Sequence, residues 1–400
     1  MRPTAKKLGK FKVIIPYARQ DISQVGIDAV VAFLRADFLT QVPVVPTFEN
    51  AVANYCGVQH AVAVNSATRA LHIACLALRV GKGDVVWTTP ITFVASANCA
   101  LYCGATVDCV DIDPLTYNLN VGLLAEKLAQ AAQTGKLPKV VIPVHLCGQA
   151  CERAGISALD QKYGFKIIED ASHAIGGNYK DEPIGNYKYS NITVFSFHPV
   201  KIITTGEGCM AATSYAALAK QMRLLRSHGI SSVPADMQAR PPNEIRNYQQ
   251  IDLEFNYRTM FIQAALVLSQ MSRLEEFVSK RPEIAKRYKQ LLSPLPVKTP
   301  WQSSQSYSAC HLFVIRLKLK EIHGTQRQVY DAFNSAGILV NLHYIPVYLQ
   351  PYYSQLGFRA GYCPKAEQFY SEAISIPLYP GLTEAQQDLV VTKIKEAIGI

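Results

Sequence analysis

HAVAVNSATRALHIACLALRVGKGDVVWTTPITFVASANCALYCGATVDCVDI, residues 60–112, is the stretch whose reading decides the fold. Short apolar runs alternate with helical periodicity along it. HAVAVN (60–65), DVVWTT (84–89) and ATVDCVDI (105–112) read as strands, with helices over 67–80 and 92–101 between them. The strand runs are apolar at nearly every residue, as expected when helices cover both faces of a sheet. The alternation continues through a helix at 121–133, a strand KVVIPVH (139–145), a helix at 155–164, and the strands FKIIED (165–170) and ITVFSF (192–197). Such βα repetition predicts a mostly parallel, right-handed wound sheet. Ligands on these sheets sit at the carboxyl ends of the strands.

Further along the chain, residues 227–248 are rich in Pro, Gln, Asn and Arg and read as a surface loop. One long helical pattern runs from about Met260 to Leu292 and is stopped by Pro294 and Pro296. A strand at 311–319, a helix at 325–335, an aromatic loop at 343–353 and a last helix at 384–397 complete a smaller α/β unit. The expected division is a large domain over 1–255, with its N-terminal segment, and a small domain over 256–400.

The 400 residues carry 40 Lys and Arg against 30 Asp and Glu, a net charge of +10, with 49% hydrophobic and 18% charged residues. This is the balance of a globular enzyme. The positive charge is spread out, with no basic block interleaved with aromatics, so nucleic acid finds no support. Anionic substrates suit it better, since a positive field concentrates phosphates at a cleft. No apolar run reaches the roughly 18 residues of a membrane span, and the start is not a signal peptide. The ten cysteines lie mostly in apolar runs. Without a secretion signal, the expected setting is the reducing cytoplasm. His145-Leu-Cys147-Gly-Gln-Ala-Cys151 matches no zinc spacing, so no metal is expected.

The chemistry-bearing residues are Asp170, Ser196 and Lys201. Asp170 closes the strand FKIIED, and Lys201 follows ITVFSF in a turn containing Pro199, so both should face one crevice. An acid and a lysine there suit pyridoxal phosphate: the lysine forms a Schiff base, and the acid keeps the pyridine nitrogen protonated so that the ring takes up electrons. By themselves, an acid and a lysine some thirty residues apart are uninformative. Asn65-Ser66-Ala67-Thr68 opens a helix after the first core strand, where free amides and the helix dipole favour phosphate. An ordinary N-cap would read the same way. Phe93 could stack on a cofactor ring or simply fill the core. No GxGxxG, GxxxxGK[ST] or GxSxG motif occurs in a fitting context.

With these motifs in hand, the chain resembles the sugar aminotransferases of the DegT/StrS group from about residue 14 to its end. The matching segments include NSAT (65–68), TTPITFVASAN (88–98), EDASHAIGG (169–177), FSFHPVKIITTGEG (195–208), FNYR (255–258), LHYIPVYLQPYY (342–353) and IPLYPGLT (376–383). SFHPVK and HYIPVY resemble most the UDP-4-amino-4,6-dideoxy-N-acetyl-β-L-altrosamine transaminases of pseudaminic acid biosynthesis. The resemblance implies a fold-type I enzyme with a seven-stranded, mostly parallel sheet and a smaller C-terminal α/β domain. It implies pyridoxal phosphate on Lys201, paired by Asp170 and held at its phosphate by Ala67, Thr68 and Ser196. His173 would lie near the cofactor's phenolic oxygen, with Phe93 over its ring. Asn256 would reach the cofactor of the partner in a homodimer with shared sites. Tyr17, Asp37, Phe38, Leu39, Thr40, His343, Tyr344, Ile345 and Pro346 would face a UDP-sugar, with L-glutamate as the amino donor. The bland reading of the 343–346 loop is domain packing, since its Tyr and Pro content suits a rigid turn equally.

The chain departs from the group at Val42, Arg69, Cys209 and Phe261, where the group has Gly, a small residue, Gly and an acid. These positions bear on substrate detail and on the backbone around 208–210, and leave Lys201 and Asp170 intact. The other readings are an aminotransferase for a different nucleotide 4-keto or 3-keto sugar, and a non-catalytic binding or regulatory protein on this fold.

Overall fold

The structure, a computed structural model, describes residues 14–36, 43–239 and 248–399. The first helices are α1 (Gln24–Leu34) and α2 (Val44–Cys56). The wound region follows as β1 (His60–Val64), α3 (Ala67–Ala77), β2 (Val85–Thr88), α4 (Ala95–Tyr102), β3 (Thr106–Cys109), α5 (Val121–Thr134), β4 (Val140–Ile142), α6 (Arg153–Tyr163), β5 (Lys166–Asp170), β6 (Ile192–Ser196), β7 (Cys209–Thr213) and α7 (Ala216–Leu225). Seven strands form one sheet in the order β1-β7-β6-β5-β4-β2-β3. Five of them, from β6 across to β3, run parallel, and β7 lies antiparallel between β1 and β6. This is the mostly parallel, seven-stranded α/β architecture expected of fold type I.

Register decides where the site lies. Cys209, the first residue of β7, pairs with both Ser196 and Val64. The carboxyl ends of β1 and β6 therefore meet at the start of β7, beside the end of β5 where Asp170 pairs with Val194. CMAAT (209–213) was not singled out as a strand in the sequence. All five residues are buried, and its small side chains let helices approach on both sides.

The small unit holds β8 (Val297–Lys298), β9 (Phe313–Leu317) and β10 (Ala373–Ile376) as an antiparallel sheet. Its long helices are α10 (Gln326–Ser335) and α12 (Glu384–Ile398), with α11 (Pro364–Glu372) between them. Thr325 and Thr383 start α10 and α12 with capping boxes closed by Gln328 and Gln386. Val329, Phe333, Val390 and Ile394 join Phe313 and Ile315 in one core.

The expected single helix over 260–292 is two: α8 (Phe261–Met271) and α9 (Leu274–Leu292). The break has local causes. The Ser272 hydroxyl donates to the Ser269 carbonyl at 2.7 Å, and Arg273 turns its guanidinium to Asp21 and Glu276, each at 2.9 Å. Such side-chain bonds offer an alternative to helical pairing. Alpha-9 continues through Pro282, whose missing N–H leaves the Val278 carbonyl free. The Tyr307 hydroxyl donates to that carbonyl at 3.1 Å. Leu274, Phe277 and Val278 pack with the large sheet's core, while Ala285, Tyr288 and Leu292 pack with the small one. One helix thus spans both cores.

Candidate active site

Asp170 ends β5 at 5% exposure. Its Oδ2 accepts the Ser96 hydroxyl at 2.6 Å, and Ser96 in turn shares a 2.8 Å bond with the Thr92 hydroxyl. Oδ1 accepts the Ser172 N–H at 3.1 Å. The carboxylate is thus fixed by α4 and its own turn, with lone pairs left for a further donor. Glu169, one residue earlier, points to the other face of β5. There it accepts Arg153 at 2.6 and 3.0 Å, and the Ser190 and Thr193 hydroxyls at 3.1 and 3.0 Å. Burial would raise its pKa, but the Arg153 charge outweighs that and holds it well below the usual range. Losing one partner of such a buried pair costs about 3–5 kcal/mol, so this pair anchors the strand that presents Asp170.

Lys201 stands in the turn after β6, its N–H donating to the His198 carbonyl at 2.9 Å. Burial lowers its pKa to about 8, opposed by the negative charge of Asp170 and by Cys147. At that value about a tenth of the amine is unprotonated at neutral pH, against roughly one part in 3,000 for an ordinary lysine. It can act as a nucleophile without a separate base.

Opposite lies a wall of neutral rings. The Cys147 N–H donates to His173 Nδ1 at 3.3 Å. The neutral ring's proton is therefore on Nε2, which faces the Tyr344 hydroxyl at 3.4 Å. His173 and His311 rings are 4.4 Å apart, and His173 and Tyr344 stack at 6.4 Å. Burial, then the charge of Lys201, pushes His173 well below its ordinary pKa and His343 down to about 3. Burial with the neighbouring His173 does the same to His311. These three imidazoles thus stay neutral beside the lysine. Gly148, next to Cys147, has φ +95°, and a Cβ there would come within 2.9 Å of the His173 carbonyl oxygen. Glycine lets the 147–148 turn press against His173.

At the end of β1, Ser66 caps α3 by accepting the Arg69 N–H at 3.4 Å. The amides of Ala67 and Thr68 lie in the first turn of α3, and the buried Asn65 Oδ1 has no hydrogen-bond partner. Arg69 stays outside, its guanidinium 5.0 Å from the Tyr257 ring.

The structure therefore gathers Asp170, Lys201, His173 and Tyr344, with Ser196 at the neighbouring strand end and Phe93, 57% exposed, 6.3 Å from the Tyr344 ring. Tyr17 packs behind, 5.5 Å from His343. His343 turns inward: Nδ1 meets the Ser375 hydroxyl at 2.7 Å and Nε2 the Asn341 amide at 3.3 Å. It supports Tyr344 rather than facing solvent. Ile345 is exposed and Pro346 buried. Asn256 is exposed, on a segment bridging Ser227, and its side chain joins none of the hydrogen bonds around Lys201. Asp37, Phe38, Leu39 and Thr40 lie outside the described residues, as does Val42. Cys209 is buried at the start of β7, and Phe261 stacks on Phe33 at 6.0 Å. Sequence reasoning missed Ser96, Cys147 and His311. A lone serine on the buried face of α4 was the one available signal for Ser96.

These residues fit pyridoxal phosphate: an amine of lowered pKa, a carboxylate with spare lone pairs, free helix amides and an unpartnered buried Asn65 oxygen. No group of three or more His, Cys, Asp or Glu among the described residues could hold a metal.

Residues 20–395 match the family model described as the DegT/DnrJ/EryC1/StrS aminotransferase family. The spore coat polysaccharide biosynthesis protein SpsC of Bacillus subtilis is 34% identical over 388 residues, 96% of this chain and 97% of that one. PseC of Helicobacter pylori, an aminotransferase involved in pseudaminic acid biosynthesis, superposes with a TM-score of 0.86 at 28% identity, covering 97% and 100% of the chains. The sugar aminotransferase Spr1654 of Streptococcus pneumoniae, solved in PLP and PMP forms, also gives 0.86, at 27% identity over 97% of this chain and 99% of that chain in the PLP form.

Proposed function

The chain belongs to the DegT/DnrJ/EryC1/StrS aminotransferase family of pyridoxal-phosphate-dependent sugar aminotransferases, and we propose that it moves an amino group from L-glutamate to C4 of a UDP-4-keto-6-deoxy-N-acetylhexosamine. The observation that carries the reading is Lys201, its pKa lowered to about 8, opposite a fixed Asp170. Bound there, the cofactor supplies an electron sink that carries the amino group between donor and acceptor. Lys201 would hold it and, when released, would carry the proton that the transfer moves. Asp170 keeps the ring nitrogen protonated, and Ala67, Thr68 and Ser196 hold the phosphate. His173, protonated on Nε2, orients the reacting face, Tyr344 faces the sugar, and the neutral histidines add no positive charge beside Lys201. The similarity to PseC favours the acceptor. We place the reaction in the cytoplasm, where the free thiols stay reduced.

Purified protein with L-glutamate and a panel of nucleotide keto sugars tests this under single-turnover conditions. The expected result is amination of the UDP-4-keto-6-deoxy-N-acetylhexosamine in preference to 3-keto and other 4-keto sugars. Tyr344→Ala should raise the KM for the keto sugar and leave the glutamate half-reaction nearly unchanged. Amination of a different sugar alone refutes the acceptor, and equal loss in both half-reactions refutes the role of the loop.

The working unit is proposed to be a homodimer with Asn256 in the partner's site. The support is an apolar exposed surface: Val25, Leu34, Leu253, Met260 and Ile262 all face solvent, Leu253 at 86%. Mixing Lys201→Ala with Asn256→Ala under subunit exchange gives hybrids with one doubly defective and one intact site, so activity should return to a fraction of wild type. Proven exchange without recovery would place Asn256 in its own subunit.

A further inference from the structure

Two cavities adjoin where α9, β8 and the turn after β3 meet, and none of the side chains gathered around Lys201 lines them. The inner one, about 270 Å³, lies between α9 and residues 306–313. The outer one, about 740 Å³, lies between the end of α9, residues 297–302 and residues 114–117. Lys289, Pro300 and Gln302 line both, so the two abut, and together they reach the size of a small-molecule site. Their charge is one-sided. Lys286, Lys289, Lys298 and Arg316 line them, and no Asp or Glu does. Arg316 is already neutralised by Glu372 at 2.8 Å. The three lysines have no ion pair or hydrogen bond among the described residues. Lys289 also complements the last turn of α9, but that accounts for neither Lys286 nor Lys298. Trp301, 40% exposed, supplies an aromatic wall. Gln302 Oε1 and Ser306 Oγ have no hydrogen-bond partner, so each can turn to a ligand without giving up a bond.

We propose that this hollow is a second ligand site, outside the amino-transfer centre, for a nucleoside phosphate. The phosphate answers the unpaired ammonium groups, which bind such anions as point charges. The base answers Trp301, since every base offers a π-face to stack. A ribose hydroxyl or a base N–H answers Gln302 Oε1, which can only accept. A simple anion would leave Trp301 and Gln302 unused, and an apolar ligand would cover ammonium groups without pairing them. The hollow also backs onto the wall of the active site. Cys310 and Leu312 line the inner cavity, and the His311 ring between them lies 4.4 Å from His173. A ligand there would rest against the segment that carries His311.

The test uses the cofactor-loaded protein and three probes: uridine 5′-monophosphate, adenosine 5′-monophosphate and inorganic phosphate. The chain has two tryptophans, and Trp87 is 3% exposed, so a stacking base reports on Trp301. Both nucleotides should quench tryptophan fluorescence saturably and slow the acylation of Lys289 and Lys298, read by mass spectrometry. Phosphate should protect the lysines more weakly and quench nothing. The double variant Lys289→Gln, Lys298→Gln should weaken quenching at least ~10-fold, the low end for losing bonds to a charged group. Trp301→Ala should weaken lysine protection by nucleotide at least ~5-fold. Both variants should still load cofactor on Lys201 as wild type does, which shows that they fold. Failure of either nucleotide to quench or protect up to ~10 mM overturns the site. So does quenching that ignores the lysine substitutions. Equal protection by phosphate alone overturns the nucleoside, and a raised KM for the keto sugar in the double variant overturns the separation from the amino-transfer centre.

Discussion

Lys201→Arg is expected to give a folded protein that no longer carries its cofactor covalently and turns over by about 10³-fold or more below wild type. Arginine keeps the positive charge beside Asp170 and much of the length, so the surrounding packing has little reason to change. It cannot lose its proton at any working pH, so it can neither attack the cofactor's carbonyl nor move a proton. The deciding measurement is borohydride treatment of the loaded protein followed by mass spectrometry. Wild type should gain a fixed cofactor on the peptide containing Lys201, and the variant should gain none. A reduced cofactor on any lysine of the variant would refute the assignment.

The same lysine predicts a pH dependence with a definite sign. A lysine whose pKa is lowered to about 8 is reactive above that pH and protonated below it. Cofactor capture by the apoprotein should therefore accelerate from about pH 7 to 9 and level off beyond. The charged or titratable groups facing the amine are Asp170, Cys147 and the histidines 173, 311 and 343. The histidines are neutral throughout this range. Burial holds the Cys147 thiol up at about 12, so it does not titrate there either.

The strands that build the site were legible because most of their residues are buried on both faces, which leaves apolar runs such as AVAV (61–64) or VVI (140–142). The strand CMAAT was passed over because it begins directly after the Gly-rich turn, with small residues and no alternation to mark it. Alpha-1 and α2 were missed for a different reason. Alpha-1 keeps Val25 and Leu34 exposed, so its pattern lacks a polar face. The break at Ser272 turned on two side-chain hydrogen bonds that no periodicity reveals. At the site, Asp170 and Lys201 were readable because strand ends locate them. His343 was readable as a site-loop residue, but its inward turn toward Ser375 depends on β10, which is distant in sequence. His311 was invisible because it approaches His173 only once the two units pack together.

Asp170→Asn should leave folding and cofactor binding intact and cut turnover at least ~100-fold, the low end for removing a placed electrostatic stabiliser. The substitution preserves the shape. The amide oxygen can still accept the Ser172 N–H. The Ser96 hydroxyl, which now donates, can rotate to accept from the new amide, passing its proton toward Thr92. What disappears is the negative charge. Without it the pyridine nitrogen has no anion to keep it protonated, and the ring withdraws electrons less well. A second readout separates this from a merely structural effect. Asp170 raises the pKa of Lys201 while burial lowers it. Removing the charge should shift the midpoint of cofactor capture by the apoprotein to below about 8, in the direction opposite to a loosened, better-hydrated site. Near-normal turnover would sink the proposed role. A midpoint moving toward the ordinary lysine value would show that the substitution had opened the pocket instead of discharging it.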